Sequence, residues 1–224
     1  MAFGPSIIVE PWQGTAGNRL PPPDFLPAVA EAAKRYGALL IADEMITGWG
    51  RTGRLFACEQ AGIDPDILIF GKGVAAGYPL SALVTSDAVL RDADPWTRPS
   101  FSSSSYGGSP LACAAADAVT RVIVEEHLER NAAAVGEVLL SSLHELAKRR
   151  SCVKRVRGQG LFLGFDLDLP KASCEKLFRA CLRRGLIAMT YTTRVRINPP
   201  LVITADQARE GVALLDDALA EVTA

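Results

Sequence analysis

A chain of 224 residues, 49% apolar and 22% charged, has the composition of a globular protein with room for one large core or two modest ones, which excludes disordered and fibrous classes. Lys and Arg number 24 against 25 Asp and Glu, a formal net charge of −1, so no basic excess exists to neutralise nucleic-acid phosphates. No apolar run approaches the roughly 20 residues that cross a bilayer, and the first residues lack a secretory pattern; the expectation is a cytoplasmic protein with neither membrane nor nucleic acid as partner.

Taken in chain order, Ser6 to Val9 reads as a short β-branched strand ending at Glu10-Pro11. Phe25 to Tyr36 has helical apolar spacing and stops at Gly37. Ala38 to Ala42 is a continuous apolar strand running into Asp43-Glu44, and a short helix is expected near Leu55 to Ala61. Asp66 to Phe70 is a second continuous apolar strand, ending in Gly71-Lys72-Gly73, and Pro79 to Val84 is a further strand. Strands apolar on both faces and separated by helices imply a buried, mostly parallel sheet. Long helices follow at Pro110 to Glu126 and Leu128 to Arg149, then an alternating run from Val153 to Leu167. A helix at Cys174 to Arg184, a strand pair around Leu186 to Ile197 and a last helix at Asp206 to Val222 complete the chain. This predicts an α/β domain over residues 1–125 and a small α+β domain over residues 126–224.

Five cysteines without CxxC spacing, most of them in apolar segments, read as buried free thiols rather than a disulfide framework. His127 and His144, each within an expected helix, have no spacing that pairs them for a metal.

In an open parallel sheet, ligands bind beyond the carboxyl ends of the strands. Glu10, Asp43-Glu44 and Gly71-Lys72-Gly73 stand at three such ends. Lysine amines form Schiff bases with carbonyl groups, and flanking glycines let backbone approach a ligand closely. A carboxylate at Asp43, partly withdrawn from water, needs a positive partner, and a protonated pyridine nitrogen is one.

These residues belong to longer motifs. The run Ile41-Ala-Asp-Glu-Met-Ile-Thr-Gly-Trp-Gly-Arg-Thr-Gly53, then Asp64-Pro-Asp-Ile-Leu-Ile-Phe-Gly-Lys-Gly73 and Gly77-Tyr-Pro-Leu80, closely resembles the class III aminotransferases. Glu10-Pro-Trp-Gln-Gly14, Ser105-Tyr-Gly-Gly-Ser-Pro-Leu111 and Arg196-Ile-Asn-Pro-Pro-Leu201 resemble further motifs of that family, in the same order. The resemblance implies a pyridoxal-phosphate (PLP) enzyme of fold type I: part of the large domain, mostly parallel sheet with helices, followed by the small C-terminal α+β domain. It implies that Lys72 forms the Schiff base with PLP and moves the proton at the substrate's Cα. Asp43 would pair with the pyridinium nitrogen, and Ser105 would reach the phosphate of a neighbouring subunit's cofactor within a dimeric or higher assembly. Ile46 would line the ring where some members carry glutamine, and Arg196 would grip a substrate carboxylate as a fork. Glu10 and Gln13 are expected to shape loops, and Arg51 to be structural.

Besides Ile46 and the serine run Ser102 to Ser105, two further features set the chain apart from the family pattern. Thr15 stands where many members carry a glutamate that pairs with the late arginine. The likeness covers only the C-terminal half of such enzymes, without the N-terminal arm, the phosphate-holding helix N-terminus or the aromatic residue that stacks on the ring. The expected function is therefore transfer of an amino group from a donor such as glutamate to a keto or aldehyde acceptor, performed together with a separate N-terminal half. The alternatives are a racemase, epimerase or decarboxylase on the same scaffold, or a non-catalytic truncated subunit.

Overall fold

The computed structural model describes residues 4–93 and 104–223. The chain divides into two units: the first is Met1–Pro11, Pro21–Trp49 and Phe56–Glu126, the second Trp12–Leu20, Gly50–Leu55 and His127–Ala224.

In the first unit β1 (Ser6–Val9), β2 (Leu39–Asp43), β3 (Ile67–Gly71) and β4 (Ser81–Thr85) form one sheet in that order. β1, β2 and β3 are mutually parallel, and β4 runs antiparallel to β3. The sheet is therefore mostly parallel, as the continuous apolar runs of β2 and β3 dictate. Helix α1 (Phe25–Arg35) connects β1 to β2 and packs on β2, burying Leu26 and Ala33. The short α2 (Ala57–Gln60) lies between β2 and β3. After β4 come α3 (Asp87–Ala93) and the alanine-rich α4 (Pro110–Glu125), which starts with proline in its first turn as helices tolerate.

The pleat gives the sheet two unlike faces. Leu40 and Ala42 are buried on one. The register puts Ile8, Ile41 and Ile67 in one row of the other face, with Ile69 beside Leu83 in the next. There Ile8 is 61% exposed and Leu83 57%.

In the second unit β5 (Val153–Gln159), β6 (Phe162–Leu167) and β7 (Arg194–Ile197) form an antiparallel sheet in that order. Helices α5 (Leu128–Arg149), α6 (Lys171–Arg183) and α7 (Ala205–Thr223) enclose one core with it. Leu163, Phe165 and Leu167 bury among Leu143, Leu146, Leu177, Leu215 and Leu219. The opposite face of β6 is covered by Trp12–Leu20: the Trp12 ring lies 5.7 Å from Phe162, and the Asn18 amide donates to the Leu163 carbonyl at 2.7 Å. A Cβ at Gly164 would fall 2.7 Å from the Gly17 carbonyl oxygen, so no larger residue fits this crossing. Gly50–Leu55 is held by a reciprocal pair, since the Leu161 N–H donates to the Arg51 carbonyl at 2.9 Å and the Arg51 guanidinium donates to the carbonyls of Leu161 and Pro199. Burial pushes that guanidinium down to about 10.

The sequence predicts a strand pair over Leu186 to Ile197, and the structure has one strand, β7, with a single bridge from Met189 to Arg196. The reason is local: the Thr192 side chain hydrogen-bonds the backbone of Arg194, closing a turn where a second strand would run. His127 does not sit within a helix; at φ 52° it makes the left-handed break between α4 and α5. Among the described residues no helix is long and apolar enough to cross a membrane, and no group of three His, Cys, Asp or Glu is placed to hold a metal.

Candidate active site

Asp43 is the last residue of β2, half-buried, and its Oδ1 accepts the Met45 N–H at 3.0 Å. It makes no ion pair with any described residue. Its neighbour Glu44 does different work. At 1% exposure it accepts the Cys58 N–H at 2.7 Å and the Thr47 hydroxyl, tying the loop after β2 to the start of α2. Burial, and then the Glu44 charge, pushes the Cys58 thiol up to about 12, so that cysteine is an inert part of the same knot. Of the two adjacent acids, Glu44 is buried and consumed internally, whereas Asp43 is half-buried and accepts the Met45 N–H.

Lys72 directly follows β3, the strand next to β2 in the sheet, and pairing Asp43 with Ile69 puts it three residues beyond that partner. Its backbone adopts a left-handed φ of 50°, a conformation that bulky L-residues hold only when their surroundings impose it. Those surroundings are visible. Lys72–Ala75 is a 3-10 turn whose Val74 and Ala75 bury with Phe70 against Trp49, Phe56 and, on α4, Ala115 and Ala116. Trp49 meets Phe70 edge-on at 5.4 Å. Before the turn, a Cβ at Gly71 would fall 2.8 Å from the Met45 methyl carbon. Anchored from both sides, the turn presents the Lys72 side chain to solvent.

Ile46 is half-buried in the loop that follows Asp43, and Ser105 is exposed in the turn preceding α4. Both belong, with Asp43 and Lys72, to the first unit. Arg196 belongs to the second, where it lines a cavity of about 250 Å³ together with Thr15, Met189, Tyr191, Thr193 and Arg194. Tyr191 is fixed there by edge-on contact with Phe178 at 5.6 Å. Trp12 and Trp49 pack within their own units. Gln13 bridges to Arg19 through backbone hydrogen bonds, so its loop-shaping expectation has a local basis. Arg194 lies outside the motif that begins at Arg196; strand alternation puts it on the face of Arg196, and that period of two is the signal that finds it.

A pyridine cofactor asks for an anion at its ring nitrogen and an amine at its aldehyde carbon. Among the described residues Asp43 is a carboxylate without a cation and Lys72 an amine without a carboxylate, at neighbouring strand ends of one sheet. The donor set fits the group.

The sequence matches the class-III aminotransferase family over residues 5–219, and the chain belongs to that family. It is 37% identical over 217 residues to ornithine aminotransferase 1 of Staphylococcus saprophyticus, covering 96% of this chain and 52% of that protein. It is 39% identical over 219 residues to the mitochondrial ornithine aminotransferase of Arabidopsis thaliana, covering 95% and 45%. A thermostable (S)-enantioselective omega-transaminase from Thermomicrobium roseum superposes with a TM-score of 0.92 at 36% identity, covering 98% of this chain and 51% of that one. Acetylornithine aminotransferase from Elizabethkingia anophelis gives 0.89 at 34%, covering 96% and 54%. The chain thus spans about half the length of the curated relatives it matches, and its α/β fold is that of known transaminases.

Proposed function

We propose that this chain carries the lysine-bearing half of a PLP-dependent aminotransferase, which moves an amino group from a donor such as glutamate to a keto or aldehyde acceptor. The observation that carries the reading is the pairing of Asp43 and Lys72 at the carboxyl ends of adjacent parallel strands, where open α/β sheets bind ligands. When bound, PLP supplies an electron sink for negative charge developing at the substrate's α-carbon.

The protein's own residues do the rest. The Asp43 carboxylate keeps the pyridine nitrogen protonated, and the Met45 N–H holds that carboxylate in place. The Lys72 amine takes the proton from the substrate's Cα and returns it, its position fixed by the buried turn behind it. Ile46 would give the ring an apolar neighbour, and the Ser105 hydroxyl would donate to the phosphate of the cofactor held by a neighbouring subunit. Arg196 orients a substrate carboxylate through a two-pronged hydrogen bond. The activity requires the N-terminal half of the family's fold as well, and a dimeric assembly. Supporting this are the half-length match to relatives and the apolar sheet face on which Ile8 and Leu83 stand exposed. The reaction is cytoplasmic, in keeping with five cysteines that are all free.

The test is covalent trapping. The chain is incubated with PLP, reduced with borohydride, digested and mapped by mass spectrometry, alone and with the N-terminal half of a class III relative. Label is expected on the Lys72 peptide, enriched about tenfold or more over the exposed Lys148, strongest with the added half, and absent in Lys72→Ala. Asp43→Asn should reduce it. Equal labelling of Lys72 and Lys148 under both conditions overturns the reading.

A further inference from the structure

The alternation that leaves Asp43 half-buried turns its neighbour inward. Ala42 is buried, Asp43 half-buried and Glu44 buried, and the Glu44 N–H still donates to the Ile69 carbonyl at 2.8 Å, so the strand pattern runs on through this residue. A carboxylate only 1% exposed is costly to hold as an anion unless a cation or several donors attend it. Glu44 has two donors, the Cys58 N–H and the Thr47 hydroxyl, and forms no ion pair among the described residues. The charged group on the short α2 beside it is another acid. Glu59 accepts the Phe56 N–H at 2.7 Å, and after burial itself the charges of Glu44 and then Glu59 push the Cys58 thiol up. Asp43, Glu44 and Glu59 therefore bring negative charge to the end of β2 and the start of α2, with no cation paired to any of them among the described residues. Folding alone does not ask for this charge. An amide of the same shape would keep both bonds of Glu44, its oxygen accepting the Cys58 N–H and its nitrogen donating to the Thr47 hydroxyl. A charge kept where a neutral isostere serves the fold points to a task other than folding.

We propose that Glu44 is a positioning residue that acts through Asp43: its buried negative charge favours a protonated pyridine nitrogen on the cofactor and destabilises the chain when no cationic ring is bound. The inference rests on the PLP reading above. Among buried groups a charge is felt over a longer range than in water. Two adjacent anions repel, and a cation placed at the more open one, Asp43, relieves both. The Met45 N–H adds a mechanical link, since it bonds Asp43 Oδ1 at 3.0 Å from within the same turn that Glu44 closes onto Thr47. Stability of the empty chain and affinity for the cofactor are thereby opposed at one side chain, as happens where a site holds unfavourable charge ready for its ligand. A residue that served only the fold would move both in the same direction.

Glu44→Gln tests it on the full chain, with the N-terminal half of a class III relative added for the cofactor measurements. Without PLP, the variant should unfold at the same urea concentration as the wild type or at a higher one. With PLP, its dissociation constant from absorbance titration should rise about tenfold. Nuclear magnetic resonance of bound PLP labelled with nitrogen-15 in the ring should show a smaller protonated fraction in mildly alkaline buffer. Glu44→Ala, which leaves the Cys58 N–H and the Thr47 hydroxyl without their acceptor, should lose both stability and affinity. A Glu44→Gln chain that binds PLP as tightly as the wild type, keeps the ring nitrogen as protonated, or loses stability together with affinity overturns the inference and leaves the Lys72 Schiff base standing. A wild type that takes up no PLP under either condition overturns the reading above and this inference with it.

Discussion

The two units bury apolar surface in different ways. In the second, every residue of β6 is buried, because three helices pack on one face and the Trp12–Leu20 segment covers the other. In the first, β2 alternates buried and half-buried residues, and the row containing Ile8 and the row containing Leu83 end in exposed side chains. Tyr106, Leu111, Val122 and Val124, at or on α4, are exposed as well. The sheet of the first unit is composed like one meant to be covered twice, so its sequence asks for more cover than the described chain supplies. The second unit holds a self-sufficient core, while the first holds the lysine and the aspartate.

The largest test of this contrast is a pair of truncations. Phe165 is fully buried in the second unit's core, and Phe165→Ala should cost about 3–5 kcal/mol in urea unfolding. Leu83→Ser, on the open face of the first unit, should stay within about 0.5 kcal/mol. Comparable losses at the two positions would erase the distinction.

Thiol labelling reads the same contrast without substitutions. Cys113 is exposed on α4, whereas Cys58, Cys174 and Cys181 are buried and their thiols pushed up by burial. Cys113 should react first, the buried thiols about tenfold more slowly or slower still. With rising denaturant, Cys58 in the first unit should open before Cys174 and Cys181 in the second. Simultaneous exposure of all three would show a single cooperative structure instead.

The smallest effect is electrostatic. Burial raises the Asp216 carboxyl, but hydrogen bonds from Arg150 and Arg149 outweigh it and hold the group below the usual carboxylate range. A depressed folded value means the pair stabilises above the unfolded value and is lost as pH falls through the folded one. Asp216→Asn should therefore cost less than about 1 kcal/mol at neutral pH and nothing in strong acid. A penalty that persists unchanged in acid would assign the loss to packing.

Much of this architecture is written in local pattern. β2 and β3 are legible as continuous apolar runs, and α5 begins and ends where its periodicity says, at Leu128 and Arg149. The placement of Asp43 and Lys72 at neighbouring strand ends is legible from the apolar runs that precede them. Two features lie beyond a local reading. The Thr192 turn defeats the expected strand before β7 through one hydroxyl, which no propensity registers. The covering of β6 depends on Asn18 meeting Leu163, and no periodicity in Trp12–Leu20 announces a partner so distant in sequence. Arg194 is not legible from the motif, which begins two residues later at Arg196, although strand alternation puts both on one face.

The chain's path has a practical consequence for anyone dissecting this protein. Because Trp12–Leu20 and Gly50–Leu55 are woven into the second unit, no single cut releases that unit whole. A piece starting at His127 would leave Phe162 without its tryptophan lid and the Leu161 amide without the Arg51 carbonyl. Modular swapping between relatives must therefore transplant three separate stretches at once, or accept a bared sheet prone to self-association.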